Sequence, residues 1–151
     1  GWRLGYIGAA KEVAIACDKM QGQFTSATCS IGQKALHAAV EMEIASILPM
    51  RDEFKKRRDL VYSMLKEIPG IKTTLPDGAF YFFPDVSYYF GKGGIKNSTD
   101  LCAYLLDKAH VAAVPGDAFG NDKHIRMSYA ASEENLKQAM KNIKLALSFF
   151  F

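Results

Sequence analysis

The sequence predicts an α/β (α+β) chain in which helices pack on a small β-sheet, and three patterns carry that prediction. Two C-terminal stretches, 98–109 and 132–148, repeat apolar residues with a helical period. The segments 79–83, 111–114 and 124–130 are short and apolar and lie between Pro, Gly and Asp residues, the punctuation of strands and turns. Upstream, an apolar period runs from 31 to 68 across Pro49, which predicts a long helix kinked or broken at the proline. A chain of 151 residues with 49% hydrophobic and 23% charged residues has the size and composition of a soluble globular domain.

Taken in order, residues 2–8 read as a short strand. Residues 10–21 set Val13, Ala16, Cys17 and Met20 on one helical face, with Gly22 as the stop. Thr25-Ser26-Ala27-Thr28 is a loop by composition, and Ser30 is positioned to cap the next helix. Leu36, Val40, Ile44, Leu48, Phe54, Val61 and Leu65 mark the long helix, which Pro69-Gly70 ends. Residues 71–75 predict a strand, Pro76-Asp77-Gly78 a turn, and 79–83 an aromatic strand. Ser98 is read as the cap of a helix carrying Leu101, Leu105 and Ala109, with His110 just past its end. Residues 124–130 alternate, with Ile125, Met127 and Tyr129 on one side and Arg126 and Ser128 on the other. Ser132 caps the last helix; Glu133 and Glu134 occupy its first turn, where the helix dipole favours acids.

Several function classes are excluded by pattern. Charges interrupt every apolar stretch before the roughly 18 residues of a membrane span. The net charge is +3, and the densest basic cluster, Arg51 to Arg58, is interleaved with Asp52 and Glu53, so no basic stripe suits a nucleic acid. Cys17, Cys29 and Cys102 lack C-x-x-C spacing, against a disulfide framework or a zinc site; they read as reduced, mostly buried thiols of a cytosolic protein. His37, His110 and His124 have no metal spacing. Gly91-Lys92-Gly93-Gly94 lacks the Walker pattern and reads as a flexible loop.

Two arginines invite chemistry. Arg3, between Gly1 and Gly5, could meet a phosphate bidentately, although a strand arginine is more often an exposed ion-pair partner. Arg126 lies among apolar strand residues and needs an anion, from the protein or from a substrate. The preceding loop, Val114-Pro115-Gly116-Asp117-Ala118-Phe119-Gly120, could fold over a small ligand. The aromatic run Phe80 to Phe83 is ambiguous between core packing, the far commoner case, and a binding wall.

In this order and spacing, Gly1-Trp2-Arg3, Gly78-Ala79-Phe80-Tyr81, Pro115-Gly116…Phe119-Gly120 and Ile125-Arg126-Met127-Ser128-Tyr129-Ala130 resemble the pyridoxal-phosphate-dependent class I/II (fold type I) aminotransferases of the aspartate aminotransferase type. The resemblance runs nearly end to end. It implies a C-terminal portion: a remnant of the large cofactor domain over 1–30, an inter-domain helix over 31–68, and over 69–151 the small C-terminal domain, helices on a small mixed sheet. It implies that Arg3 binds the phosphate of pyridoxal 5'-phosphate and that Arg126 binds the substrate α-carboxylate, with Gly116 and Phe119 in the loop beside it. The Schiff-base lysine is then expected upstream of Gly1, so that no lysine here is catalytic and the chain alone is inactive. The implied enzyme is a cytoplasmic homodimer exchanging an amino group between an amino acid, aspartate by default, and a 2-oxo acid. A β-lyase or aminocyclopropane-carboxylate synthase on the same scaffold, or a non-enzymatic binding or oligomerisation module, are the alternatives.

Overall fold

The computed structural model describes residues 3–151, and the chain divides into two units, Gly1–Leu48 and Pro49–Phe151. Trp2, in the predicted first strand, lies outside the described residues. Residues 3–10 form neither helix nor strand, in contrast to the strand expected over 2–8. A strand needs a neighbour to take its backbone hydrogen bonds, and none pairs with this segment among the described residues.

Helix α1 (Lys11–Phe24) continues past Gly22, whose cost of about 1 kcal/mol does not stop it. Helix α2 (Ser30–Glu41) has Cys29 rather than Ser30 at the N-cap and no side-chain cap. Both helices are amphipathic in sequence, yet α1 buries no residue and α2 buries only Gly32. Val13 and Ile15 are exposed accordingly. Cys17 and Cys29 are exposed too, and only Cys102 is buried, which corrects the expectation of mostly buried thiols. Helices α1 and α2 bury too little among the described residues to cover the first two cysteines.

The long helical pattern is broken upstream of Pro49. Met42 and Glu43 are extended, a 3-10 turn covers Ile44–Ser46, and helix α3 (Leu48–Lys66) begins afresh. Pro49 therefore falls in the first turn of α3. There its missing N–H has no partner to lose, which is why the break lies before the proline and not at it.

The second unit is built around one core. Val61, Leu65 and Ile68 enter it from α3 and the turn beyond. Helix α4 (Ser98–Ala109) contributes Leu101, Leu105 and Ala109, and helix α5 (Glu133–Leu147) contributes Leu136, Met140, Ile143 and Leu147. Each fully buried aliphatic contributes roughly 1.5–3 kcal/mol by burial. The sheet has the order β1–β3–β2: β1 is Tyr81–Phe82, β2 is Val114–Pro115 and β3 is Ile125–Ser128. Both strand pairs are antiparallel, with Tyr81 opposite Ser128 and Val114 opposite Arg126.

Prolines flank Ile125 on both sides. Pro115 stands opposite it in β2, and on the β1 side Ile125 N–H donates to the Pro84 carbonyl at 3.3 Å. Pro84 has no N–H to return, so the β1–β3 ladder loses one bond there, while on the other side Gly116 N–H donates to the His124 carbonyl at 2.8 Å. The same β1–β3 register continues beyond the prolines, through Asp85 opposite His124 and Val86 N–H to the Lys123 carbonyl. Residues 71–75 join only at Lys72, opposite Asp85.

The caps show one substitution of roles. Ser132 accepts from Asn135 N–H as expected, at 3.2 Å. At α4 the cap is Asn97, which accepts from Asp100 N–H at 2.9 Å, while Ser98 donates its hydroxyl and its N–H to Asp122 at 2.6 and 3.1 Å. His110 ends α4 in the left-handed region, its N–H bonded to the Leu105 carbonyl. The glycine run 91–94 forms a closed turn, with Gly91 N–H donating to the Ile95 carbonyl at 2.7 Å. Gly93 has φ +52 and its bare α-carbon faces the Phe150 ring, where any side chain would collide.

Candidate functional site

Arg126 lies on the central strand β3 between two core residues, Ile125 and Met127, which are 1% and 8% exposed. Strand alternation turns it to the opposite face of the sheet. There its guanidinium carbon lies 4.5 Å from the centroid of the Tyr81 ring and 4.6 Å from that of Phe119. Among the described residues no carboxylate pairs with it. A half-buried guanidinium that lies over two rings, with no carboxylate on it among the described residues, keeps its N–H donors unspent.

The ring on one side is set by a short loop. β2 leads into a 3-10 turn, Gly116–Phe119, which returns the chain to β3. Gly116 is buried; its N–H donates to the His124 carbonyl at 2.8 Å and its carbonyl accepts from Asn121 N–H at 3.0 Å. A Cβ at Gly116 would overlap the carbonyl oxygens of Asn121 and His124, so the turn closes only on glycine. Gly116 thus shapes the loop through its backbone, and Phe119 is the loop residue that reaches Arg126. Asp122 ties the same loop to the start of α4 through Ser98.

Beyond Phe119 the aromatic contacts continue. Phe83 meets Phe119 edge-on at 5.9 Å and stacks on His124 at 4.8 Å. His124 Nδ1 is buried without a hydrogen-bond partner among the described residues. Phe119 is thus brought to Arg126, and Gly116 closes the turn that carries it. The run Phe80 to Phe83, ambiguous in sequence, divides between the two faces. Phe82 is 1% exposed and belongs to the core, whereas Tyr81 and Phe83 alternate to the Arg126 face. That alternation was the available signal.

Arg3 belongs to the other unit. It is exposed, has no acidic partner among the described residues, and is followed by Gly5 and Gly8, whose α-carbons face open space. Among the described residues no cluster of His, Cys, Asp and Glu could hold a metal ion.

The family model described as aminotransferase class I and II matches residues 1–143. The chain belongs to the class I and II aminotransferases. The bifunctional aspartate aminotransferase and glutamate/aspartate-prephenate aminotransferase of Petunia hybrida is 50% identical to this aminotransferase chain, across 97% of the chain and 32% of the relative. Among solved structures, the aspartate aminotransferase of Rhizobium meliloti matches with a TM-score of 0.86 and 41% identity, over 97% of this chain and 38% of that one. An aromatic aminotransferase from Pyrococcus horikoshii matches with a TM-score of 0.84 and 33% identity, over 99% and 39%. The aminotransferase chain thus spans about a third of the length of these relatives.

Proposed function

We propose that this chain is the C-terminal portion of a pyridoxal-phosphate-dependent aminotransferase and that it provides the enzyme's grip on the substrate carboxylate. One observation carries the proposal: Arg126 presents a guanidinium between Tyr81 and Phe119 with no protein carboxylate on it among the described residues. A planar fork of donors suits an amino acid and its 2-oxo acid equally, because both carry the same α-carboxylate. That is what a reaction needing both substrates in turn requires.

Arg3 fits a phosphate by the chemistry of its donors, an exposed guanidinium beside glycines that leave the approach open. When bound, pyridoxal phosphate supplies the electron sink for removal of the substrate Cα proton. Arg126 orients the substrate by its carboxylate, and the rings of Tyr81 and Phe119 exclude water around that contact, which strengthens it. The lysine that carries the cofactor is assigned to sequence N-terminal to Gly1, and none of the lysines here takes that role. The domain scheme belongs to the same reading: cofactor-domain remnant over 1–30, inter-domain helix over 31–68, small domain over 69–151. So does a cytoplasmic homodimer that moves an amino group between an amino acid, with aspartate the first to try, and a 2-oxo acid.

The test is a transamination assay. The full-length protein, loaded with pyridoxal phosphate, should convert aspartate and 2-oxoglutarate to oxaloacetate and glutamate, while this chain alone should give only the non-enzymatic rate. Turnover by this chain alone, abolished by replacing one of its own lysines, would overturn the assignment of the catalytic lysine.

A further inference from the structure

We infer that Tyr81 is a positioning residue for substrate binding: its ring, together with that of Phe119, holds the Arg126 guanidinium in the orientation that receives a carboxylate. The inference rests on the carboxylate reading of Arg126 given above. Arginines in proteins are commonly fixed by an acidic neighbour, which also occupies the donors. Here the fixing is done by ring faces, at 4.5 Å from Tyr81 and 4.6 Å from Phe119. Contact with ring faces uses none of the guanidinium N–H donors, so the side chain is held while its hydrogen-bonding capacity stays unspent.

Tyr81 suits this task better than Phe119 alone could. Phe119 stands on a 3-10 turn and is 46% exposed. Tyr81 is on β1, paired to β3 opposite Ser128, two residues from Arg126 on the same face. The Phe80 ring packs against it at 4.5 Å, and Phe80 in turn meets Phe54 of α3 at 6.0 Å. The strand-borne ring therefore gives the guanidinium a fixed wall, against which the loop-borne ring closes. No hydrogen bond engages the Tyr81 hydroxyl among the described residues. The ring is thus the part that acts, and phenylalanine should serve nearly as well.

The test uses the full-length enzyme with its cofactor and succinate, a non-reacting dicarboxylate, titrated by calorimetry, alongside steady-state kinetics. Tyr81→Leu should weaken succinate binding and raise KM for both substrates roughly 3- to 20-fold, with kcat changed much less. Tyr81→Phe should restore binding to within about 3-fold of wild type. In an Arg126→Lys background, Tyr81→Leu should have little further effect, because there is no planar fork left to orient. Equal losses from Tyr81→Leu in both backgrounds, or failure of Tyr81→Phe to restore binding, would overturn the inference and leave a packing role. Loss of succinate binding in Arg126→Ala without any loss in Tyr81→Leu would overturn it while sparing the carboxylate reading. Unchanged binding in Arg126→Ala would overturn the carboxylate reading itself.

Discussion

Gly116 makes the strictest demand on a single position. Its α-carbon is closed in by two backbone carbonyls, those of Asn121 and His124, which cannot move without opening the turn. Gly116→Ala should therefore cost about 1–3 kcal/mol of stability and misplace Phe119. Thermal unfolding of the variant checks the first effect, and KM for the carboxylate substrates checks the second. The thiols give a second check at this scale. Burial pushes the Cys102 thiol up to about 11, whereas Cys17 and Cys29 are exposed and backbone N–H groups of Gly32 and Ile31 hold Cys29 below its usual value. With the native chain at neutral pH, a chromogenic disulfide reagent should label Cys17 and Cys29 at once and Cys102 only after denaturation. Rapid labelling of all three would contradict the packing of α4. Arg126 was legible in sequence because a charge in an apolar alternation stands out. Tyr81 was not, because an aromatic residue among aromatics carries no such contrast, and only the pairing of β1 with β3 reveals which way it faces.

Elements were legible where a long period identified them and illegible where a single neighbour decided. Helices α4 and α5 fall close to their predicted spans, since each shows an apolar stripe several turns long. The bond missing from the β1–β3 ladder belongs to Pro84, which stands opposite Ile125 on a partner strand, so no pattern local to β3 announces it. The cap of α4 was missed for a similar reason: Asp122, distant in sequence, takes Ser98, and Asn97 does the capping. The start of α5 offers a pH test. Lys137 at 2.6 Å and Lys56 at 2.8 Å hold the Glu133 carboxyl down to about 2, from an ordinary 4.5. Because the folded value is depressed, whatever stability this cluster adds is present above pH 4.5 and is lost as the pH falls toward 2. The cluster lies at the surface, so the gain is small and screened by salt. Carboxyl NMR titration should give Glu133 a midpoint near 2, returning toward 4.5 when Lys56 and Lys137 are both replaced by alanine. A Glu133 midpoint near 4.5 in the unaltered chain would contradict the ion-pair geometry.

The whole molecule divides its labour between its two units. The second, Pro49–Phe151, has a core of its own and carries Arg126 on its central strand. The first, Gly1–Leu48, carries Arg3 and apolar helical faces with little buried among them. Family membership and the fold of the second unit were legible from four motifs in order. The packing of the first was not, because its amphipathic stripes specify that they are to be covered and not by what. The central claim is that Arg126 binds the substrate α-carboxylate, and kcat/KM for Arg126→Ala in the full-length enzyme tests it most directly. Loss of a desolvated, bidentate, charge-assisted contact should lower kcat/KM by about 3–5 kcal/mol, or roughly 10²- to 10⁴-fold, for the amino acid and the 2-oxo acid alike. Cofactor absorbance should stay normal, and Arg126→Lys should recover little. Unchanged kcat/KM for both substrates in Arg126→Ala would contradict the account and leave Arg126 as a residue of packing alone.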